Sequence, residues 1–298
     1  MQRVILCLLS ILMIIGIIGC ESELNPAPFT PDNSMGNTAE KSVGEIINID
    51  GKTLADRFKV PEGYERTEVT AGAFGEYLRK LPLKPHGSKV TYYNGGTKFR
   101  DVYDGVIDME IGDRDLQQCA DAVIRLRAEY LFQQQEYSQI HFNFTNGFKA
   151  EYAKWREGYR ISVSGNQVNW VSGNSRYPQS YADFRKYLDT VFAYAGSLSL
   201  SQELTAKDLV EMQIGDVLIQ GGSPGHCVIV VDMAVHKETG ERLFMLAQSY
   251  MPAQDIHILK NEQKEKISPW YSLNFAGQLE TPEWTFERDD LKQFNKDS

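Results

Sequence analysis

The chain has 298 residues, 42% of them hydrophobic, and its 31 basic and 40 acidic side chains leave a net charge of −9. That balance excludes nucleic acid as the main partner, because phosphate binding needs a basic face. Four Cys and five His are too few for a disulfide-dense or multi-metal scaffold, and 11 Pro with 24 Gly exclude collagen-like and low-complexity chains.

At the N-terminus Arg3 precedes an uncharged apolar run over residues 4–18, shorter than the roughly 20 residues a spanning helix needs and suited to a signal peptide. The run ends Ile17-Ile18-Gly19-Cys20, which resembles a bacterial lipobox. The resemblance implies that 1–19 is a lipoprotein signal peptide and that Cys20 becomes the lipidated N-terminus. Several acyl chains of the palmitate kind on one residue give a stable anchor. Residues 20–42 hold three Pro with scattered Ser and Asn and read as a flexible, lipid-anchored stalk. The expected location is the cell envelope, lipid-anchored to a bacterial membrane, with the outer membrane expected, facing the periplasm or the surface. Residues 43–298 carry no linker or repeat and are read as a single domain.

Within that domain the pattern predicts a helix over 70–80 and a strand over 102–111. Asp115 with Gln118 three residues later suggests a capping box. Leu116, Cys119, Ala120, Val123, Arg127, Tyr130 and Leu131 then recur at helical spacing, so Cys119 belongs to the first turn of a helix over about 115–136. A second helix is expected over 148–157 and a hairpin over 160–171 about Ser164-Gly165-Asn166. A third helix is expected over 181–195, with Gly196 as its stop. The strings 216–220, 226–235 and 243–250 read as strands of an antiparallel meander. Helices first and strands later define an α+β class.

Two cysteines fall in the folded part, Cys119 and Cys227. A helix start favours an anion and lowers a thiol pKa, so Cys119 is the candidate nucleophile. A thiolate nucleophile needs a base and a group that orients the base. His226, opening an apolar strand after Gly222-Ser223-Pro224-Gly225, supplies the first. Gln248, interrupting the next apolar strand, supplies the second, with Gln254 and Asp255 as alternatives. A buried, inert Cys119 or a Cys119–Cys227 disulfide are the structural alternatives. If His226 faces Cys119, strand alternation turns Cys227 away, and the same alternation argues against a metal held by both. His141 lies too few residues past the helix end to return to Cys119. No cofactor is implied. Trp270, Tyr271, Trp284 and Phe286 either stack on sugars or pack on the sheet.

The order helix-start Cys, strand His, next-strand amide resembles the papain-like cysteine peptidases, and among them the bacterial cell-wall amidases. Gly215-Asp216-Val217-Leu218-Ile219 is similar to the Gly-Asp pair that often opens the strand before their His. The chain departs from that pattern in Ala120-Asp121, where a small Ser-Gly pair is usual, and in its long insert before the His strand. The resemblance implies a papain-like fold: a helix-start Cys packed on an antiparallel sheet, with extra helices and a β-hairpin inserted between Cys and His. It implies catalysis by Cys119, His226 and Gln248, an oxyanion hole of the Cys119 N–H and Gln118, and cell-wall peptide as substrate. The strings GDVLIQGGSPGH, LAQSYMPAQDIH, SPWYSL and QCADAVIRLRAEYL are also similar to an uncharacterised lipoprotein family, domain of unknown function 4846, which carries no established activity. The rival expectation is a non-catalytic envelope lipoprotein that binds a peptide or glycan.

Overall fold

Residues 226–236 read HCVIVVDMAVH, apolar without alternation, and in the computed structural model, which describes residues 46–174 and 179–295, they form the longest strand. The expected signal peptide, Cys20 and the 20–42 stalk lie outside the described residues. A strand with this composition must be covered on both faces, and this one is. Cys227, Ile229, Val231 and Ala234 belong to one apolar cluster, and Val228, Val230 and Met233 to another. The switch from odd to even numbers on the first face follows from a bulge, since Met245 pairs with Asp232 while Leu246 pairs with Val230.

In chain order the early strands are β1 (Tyr64–Arg66), β2 (Tyr103–Val106), β3 (His141–Asn143), β4 (Lys149–Glu151), β5 (Tyr159–Ser164), β6 (Gln167–Ser172) and β7 (Thr205–Ala206). The later ones are β8 (Val217–Gln220), β9 (His226–His236), β10 (Arg242–Gln248), β11 (His257–Leu259), β12 (Tyr271–Ser272), β13 (Leu279–Glu280), β14 (Thr285–Phe286) and β15 (Leu291–Gln293). The main sheet runs β2-β11-β10-β9-β8-β15-β7, with β1 also on β9 and β12 on β10, and its pairings are antiparallel. The expected meander is its centre, β8-β9-β10.

The helices are α1 (Leu54–Arg57), α2 (Phe74–Arg79), α3 (Cys119–Gln133), α4 (Tyr152–Arg156), α5 (Tyr181–Tyr194) and α6 (Ser197–Glu203). Helix α3 is buried nearly all round and packs through Ala120, Val123 and Ile124 into the cluster that holds Cys227 and Ile229. A helix apolar on most sides belongs inside a core. Helices on a large antiparallel sheet make the fold α+β, as the sequence indicated.

Four expectations are corrected. The 148–157 helix is only Tyr152–Arg156, because Lys149–Glu151 pairs with His141–Asn143 across a turn at Gly147 (φ +87°), and cross-strand bonding overrides local propensity. The 102–111 strand ends at Val106. The 70–80 helix begins only at Phe74. Gly196 does follow the α5 helix, but with extended backbone, and it is the cap of α6, a helix the sequence reading did not find.

One buried charge ties β9 to its neighbours. Asp232, fully buried, accepts from Arg66 Nε at 2.7 Å and from Arg79 Nε at 2.5 Å. Removing the carboxylate leaves two guanidinium groups uncompensated. Asp232→Ala should therefore lower the unfolding free energy by about 3–5 kcal/mol, read by urea denaturation; an unchanged midpoint would contradict this reading of the core.

Candidate active site

Helix α3 begins at Cys119, not near Asp115. Gln118 is the cap residue, in extended conformation, and its backbone N–H donates to Asp121 Oδ2 at 3.0 Å. Asp115 instead holds the approach to the helix: its Oδ1 accepts from the Ala253 N–H at 2.7 Å and from Gln118 Nε2 at 3.0 Å. Ser249 Oγ lies 2.8 Å from the Gln254 carbonyl and 3.2 Å from that of Gln117, joining the same two segments again. As the first helical residue, Cys119 has an N–H that the helix leaves without an intrahelical partner.

His226 is the first residue of β9, fully buried and paired with Gln220. The preceding loop allows no larger residue at Gly225, where a Cβ would stand 2.4 Å from Ser197 Oγ and 2.5 Å from the Gly222 carbonyl. The imidazole Nε2 lies 2.8 Å from Gln248 Oε1. The proton positions follow from the neighbours. Gln248 Nε2 donates to Glu283 Oε2 at 2.7 Å and faces His257 Nε2 at 3.2 Å. His257 Nδ1 donates to the Asp255 carbonyl at 2.9 Å, so its Nε2 accepts. Burial pulls the His257 pKa down to about 3, so that ring is neutral. The amide nitrogen of Gln248 thus points at two acceptors, and its oxygen must accept from His226 Nε2–H. That leaves His226 Nδ1 for Cys119.

The alternatives for the third group are engaged elsewhere. Gln254 Oε1 accepts from Lys98 Nζ at 3.1 Å, and Asp255 Oδ2 accepts from Lys84 Nζ at 2.7 Å and the Thr91 N–H at 2.8 Å. His141 lies instead against Glu203 at the end of α6, its Nδ1 3.4 Å from the carboxylate. Sequence reasoning missed His257, Glu283 and Lys98. Gln248 and His257 are opposed in the β10–β11 ladder, and Glu283 forms a buried ion pair with Lys98 at 2.8 Å. With 184 residues between Lys98 and Glu283, no local pattern could have revealed the pair.

The thiol is buried, which by itself disfavours the thiolate. Side-chain hydrogen bonds from Cys227 and then His226, with the Ala120 N–H adding to them, outweigh that penalty and pull the Cys119 pKa down to about 4. Cys227 is driven the other way, well above the ordinary thiol value, by its hydrogen bond to Cys119 and by burial, so it keeps its proton and donates it. Both cysteines are free thiols, not a disulfide. The expectation that Cys227 turns away from Cys119 is thereby overturned. Alternation holds at the start of β9, but the face toward α3 is the Cys227 face, while His226 approaches the sulfur from the strand's first position. Burial, and after it the nearby Cys119 charge, raises the Asp121 carboxyl well above the ordinary carboxylate range.

Cys119 and His226 open into a cleft of about 630 Å³ that also takes in Gln118, Phe192, Leu198, Tyr250, Met251 and Trp284. Trp284 and Tyr250 flank the imidazole at ring-centroid distances of 5.4 and 4.9 Å. Trp270, Tyr271 and Phe286 are buried against the sheet. A second cavity, about 550 Å³ beside Arg125, Glu129 and Tyr181, contains no nucleophile. Among the described residues no group of three His, Cys, Asp or Glu is placed to hold a metal ion, and no helix is long and apolar enough to cross a membrane.

Fold and site together define an α+β protein in which a buried thiol lies beside an imidazole that is hydrogen-bonded to an amide, opening into a cleft. The chain belongs to the family described as "Domain of unknown function (4846)", whose sequence model matches residues 54–293. Neither a curated protein nor a solved structure matches it.

The thiol environment has a direct consequence. Alkylation of Cys119 by iodoacetamide should be nearly independent of pH between about 6 and 8, where an ordinary thiol of pKa about 8.5 accelerates roughly tenfold per unit. Cys227→Ala removes a donor and should move the midpoint upward; an ordinary thiol profile in the unsubstituted protein would contradict the assigned hydrogen bonds.

Proposed function

We propose that this protein is a cysteine hydrolase cleaving an amide or ester bond, tethered to the bacterial cell envelope by lipid on Cys20. The observation that carries the reading is the fixed proton order from Gln248 through His226 to a thiol with depressed pKa, opening into a cleft. Helix-start Cys, strand-start His and next-strand amide are also the arrangement of papain-like peptidases and cell-wall amidases, which supports the same reading and makes cell-wall peptide one candidate substrate.

In the reaction the Cys119 thiolate attacks the carbonyl carbon, forming a C–S bond. The oxyanion is met by the Cys119 N–H and the second amide proton of Gln118, whose first is held by Asp115. His226 Nδ1–H gives its proton to the leaving amine or alkoxide as the C–N or C–O bond breaks, producing a thioester. Water then attacks the thioester, His226 takes its proton, and the C–S bond breaks to release acid and regenerate thiolate. Gln248 is a positioning residue. It accepts from Nε2–H in every step and so reserves Nδ1 for the reacting groups.

Cys119→Ala should lose hydrolysis of amide and ester substrates by roughly 10³-fold or more. Gln248→Ala should lower kcat by roughly 10²-fold with KM little changed. Activity retained in Cys119→Ala would make the protein a binding module or move the nucleophile elsewhere.

A further inference from the structure

We propose that the cleft beside Cys119 accepts an uncharged, apolar acyl chain of about eight carbons or more, so that the substrate is a fatty-acyl ester or amide. This rests on the hydrolase reading and names its substrate class. Three observations carry it.

The first is charge. Among the described residues lining the cleft there is no Lys or Arg, and the only cationic candidate is His226 itself. The two carboxyls that line it are Asp115, bonded to Ala253 and Gln118, and the buried Asp121. An anionic substrate next to the scissile bond, such as a peptide carrying free carboxylates, would lose its hydration with no countercharge and would face Asp115. The buried cation beside the Tyr250 ring, Lys98, is already held by Glu283 at 2.8 Å and by Gln254 at 3.1 Å.

The second is the lining. Leu116, Phe192, Leu198, Met251, Tyr250 and Trp284 present mostly apolar surface, and a volume of about 630 Å³ falls within the range of clefts that enclose a small apolar ligand. Of the hydroxyls in the lining, Ser197 already donates to the Gly222 carbonyl at 3.2 Å and Thr145 to the Tyr194 carbonyl at 3.1 Å, which reduces the polar partners on offer to a cell-wall glycan or stem peptide.

The third is the mouth. Leu198 and Met251 line the cleft and are also exposed, at 40% and 63%. Two apolar side chains of the lining therefore reach the surface, beside the exposed Asp115, Thr145 and Ser223. These two give a chain leaving an apolar phase an apolar contact at the mouth.

In the acylation step the C–S bond forms to the acyl carbon while the ester C–O or amide C–N bond breaks, and His226 supplies the proton for the leaving group. Hydrolysis of the thioester releases the free fatty acid. Each methylene moved out of water contributes about fourfold in binding.

The test compares three p-nitrophenyl esters on the intact protein: acetate, octanoate and the monoester of suberic acid, which has the octanoyl length with a terminal carboxylate. We expect kcat/KM for octanoate to exceed that for acetate by roughly 30-fold or more and the suberate monoester to fall back toward acetate. Leu198→Asp should lower the octanoate-to-acetate ratio. Cys119-dependent turnover with a flat ratio, or with the suberate monoester equal to octanoate, overturns the acyl assignment and leaves the hydrolase reading standing. Turnover that is absent from the unsubstituted protein, or unchanged in Cys119→Ala, overturns the hydrolase reading. In that event the occupant is read by protection of Cys119 from iodoacetamide. Octanamide protecting where acetamide and suberamic acid do not supports the apolar cleft, and equal protection or none overturns it.

Discussion

The N-terminus of α3 is docked on the first two residues of β9, and the rest of the site depends on that contact. A thiolate there is taken almost wholly out of water, and moving such a charge inward costs several kcal/mol. Hydrogen bonds to a charged group contribute about 1.5–3 kcal/mol each. Cys227, His226 and the Ala120 N–H together are therefore of the size needed to offset burial, and the thiol's depressed pKa is the sign that they do. Shifting the helix by one residue would put Ala120 at that position and leave His226 and Cys227 without the sulfur they serve.

Behind the sulfur, direction is imposed by groups that can do only one thing. The Asp255 carbonyl can only accept, which orients His257. The Glu283 carboxylate, held by Lys98, accepts from Gln248 Nε2 and so turns the amide oxygen toward His226. A lone glutamine between two imidazoles could flip; here the buried ion pair forbids it. The Lys98–Glu283 pair thus acts on the His226 imidazole through Gln248.

Much of this was legible in the sequence because the signals are local. The apolar runs of β8, β9 and β10 with their Gly-rich turns give the meander, and Gln248 interrupts one run where a neighbour's imidazole needs it. The helix start was read from Asp115 and belongs to Gln118 with Asp121, because two overlapping Asp/Gln spacings fit a cap and only packing against the 249–255 loop chooses between them. His257, Glu283 and Lys98 were not legible, since their roles come from pairing across the sheet and from a segment returning late in the chain. The position of Cys227 was misjudged for a different reason. Alternation makes neighbouring side chains diverge, but which face of β9 looks at α3 depends on tertiary packing, and a strand's first residue can reach around its own end.

Trapping the covalent intermediate addresses the central claim most directly. Mixing the protein with p-nitrophenyl octanoate, quenching in acid and mapping the modified peptide by mass spectrometry should find one octanoyl group, on Cys119, and none on Cys227. An octanoyl group on another residue, or no adduct while the ester is consumed, would contradict nucleophilic attack by this thiolate.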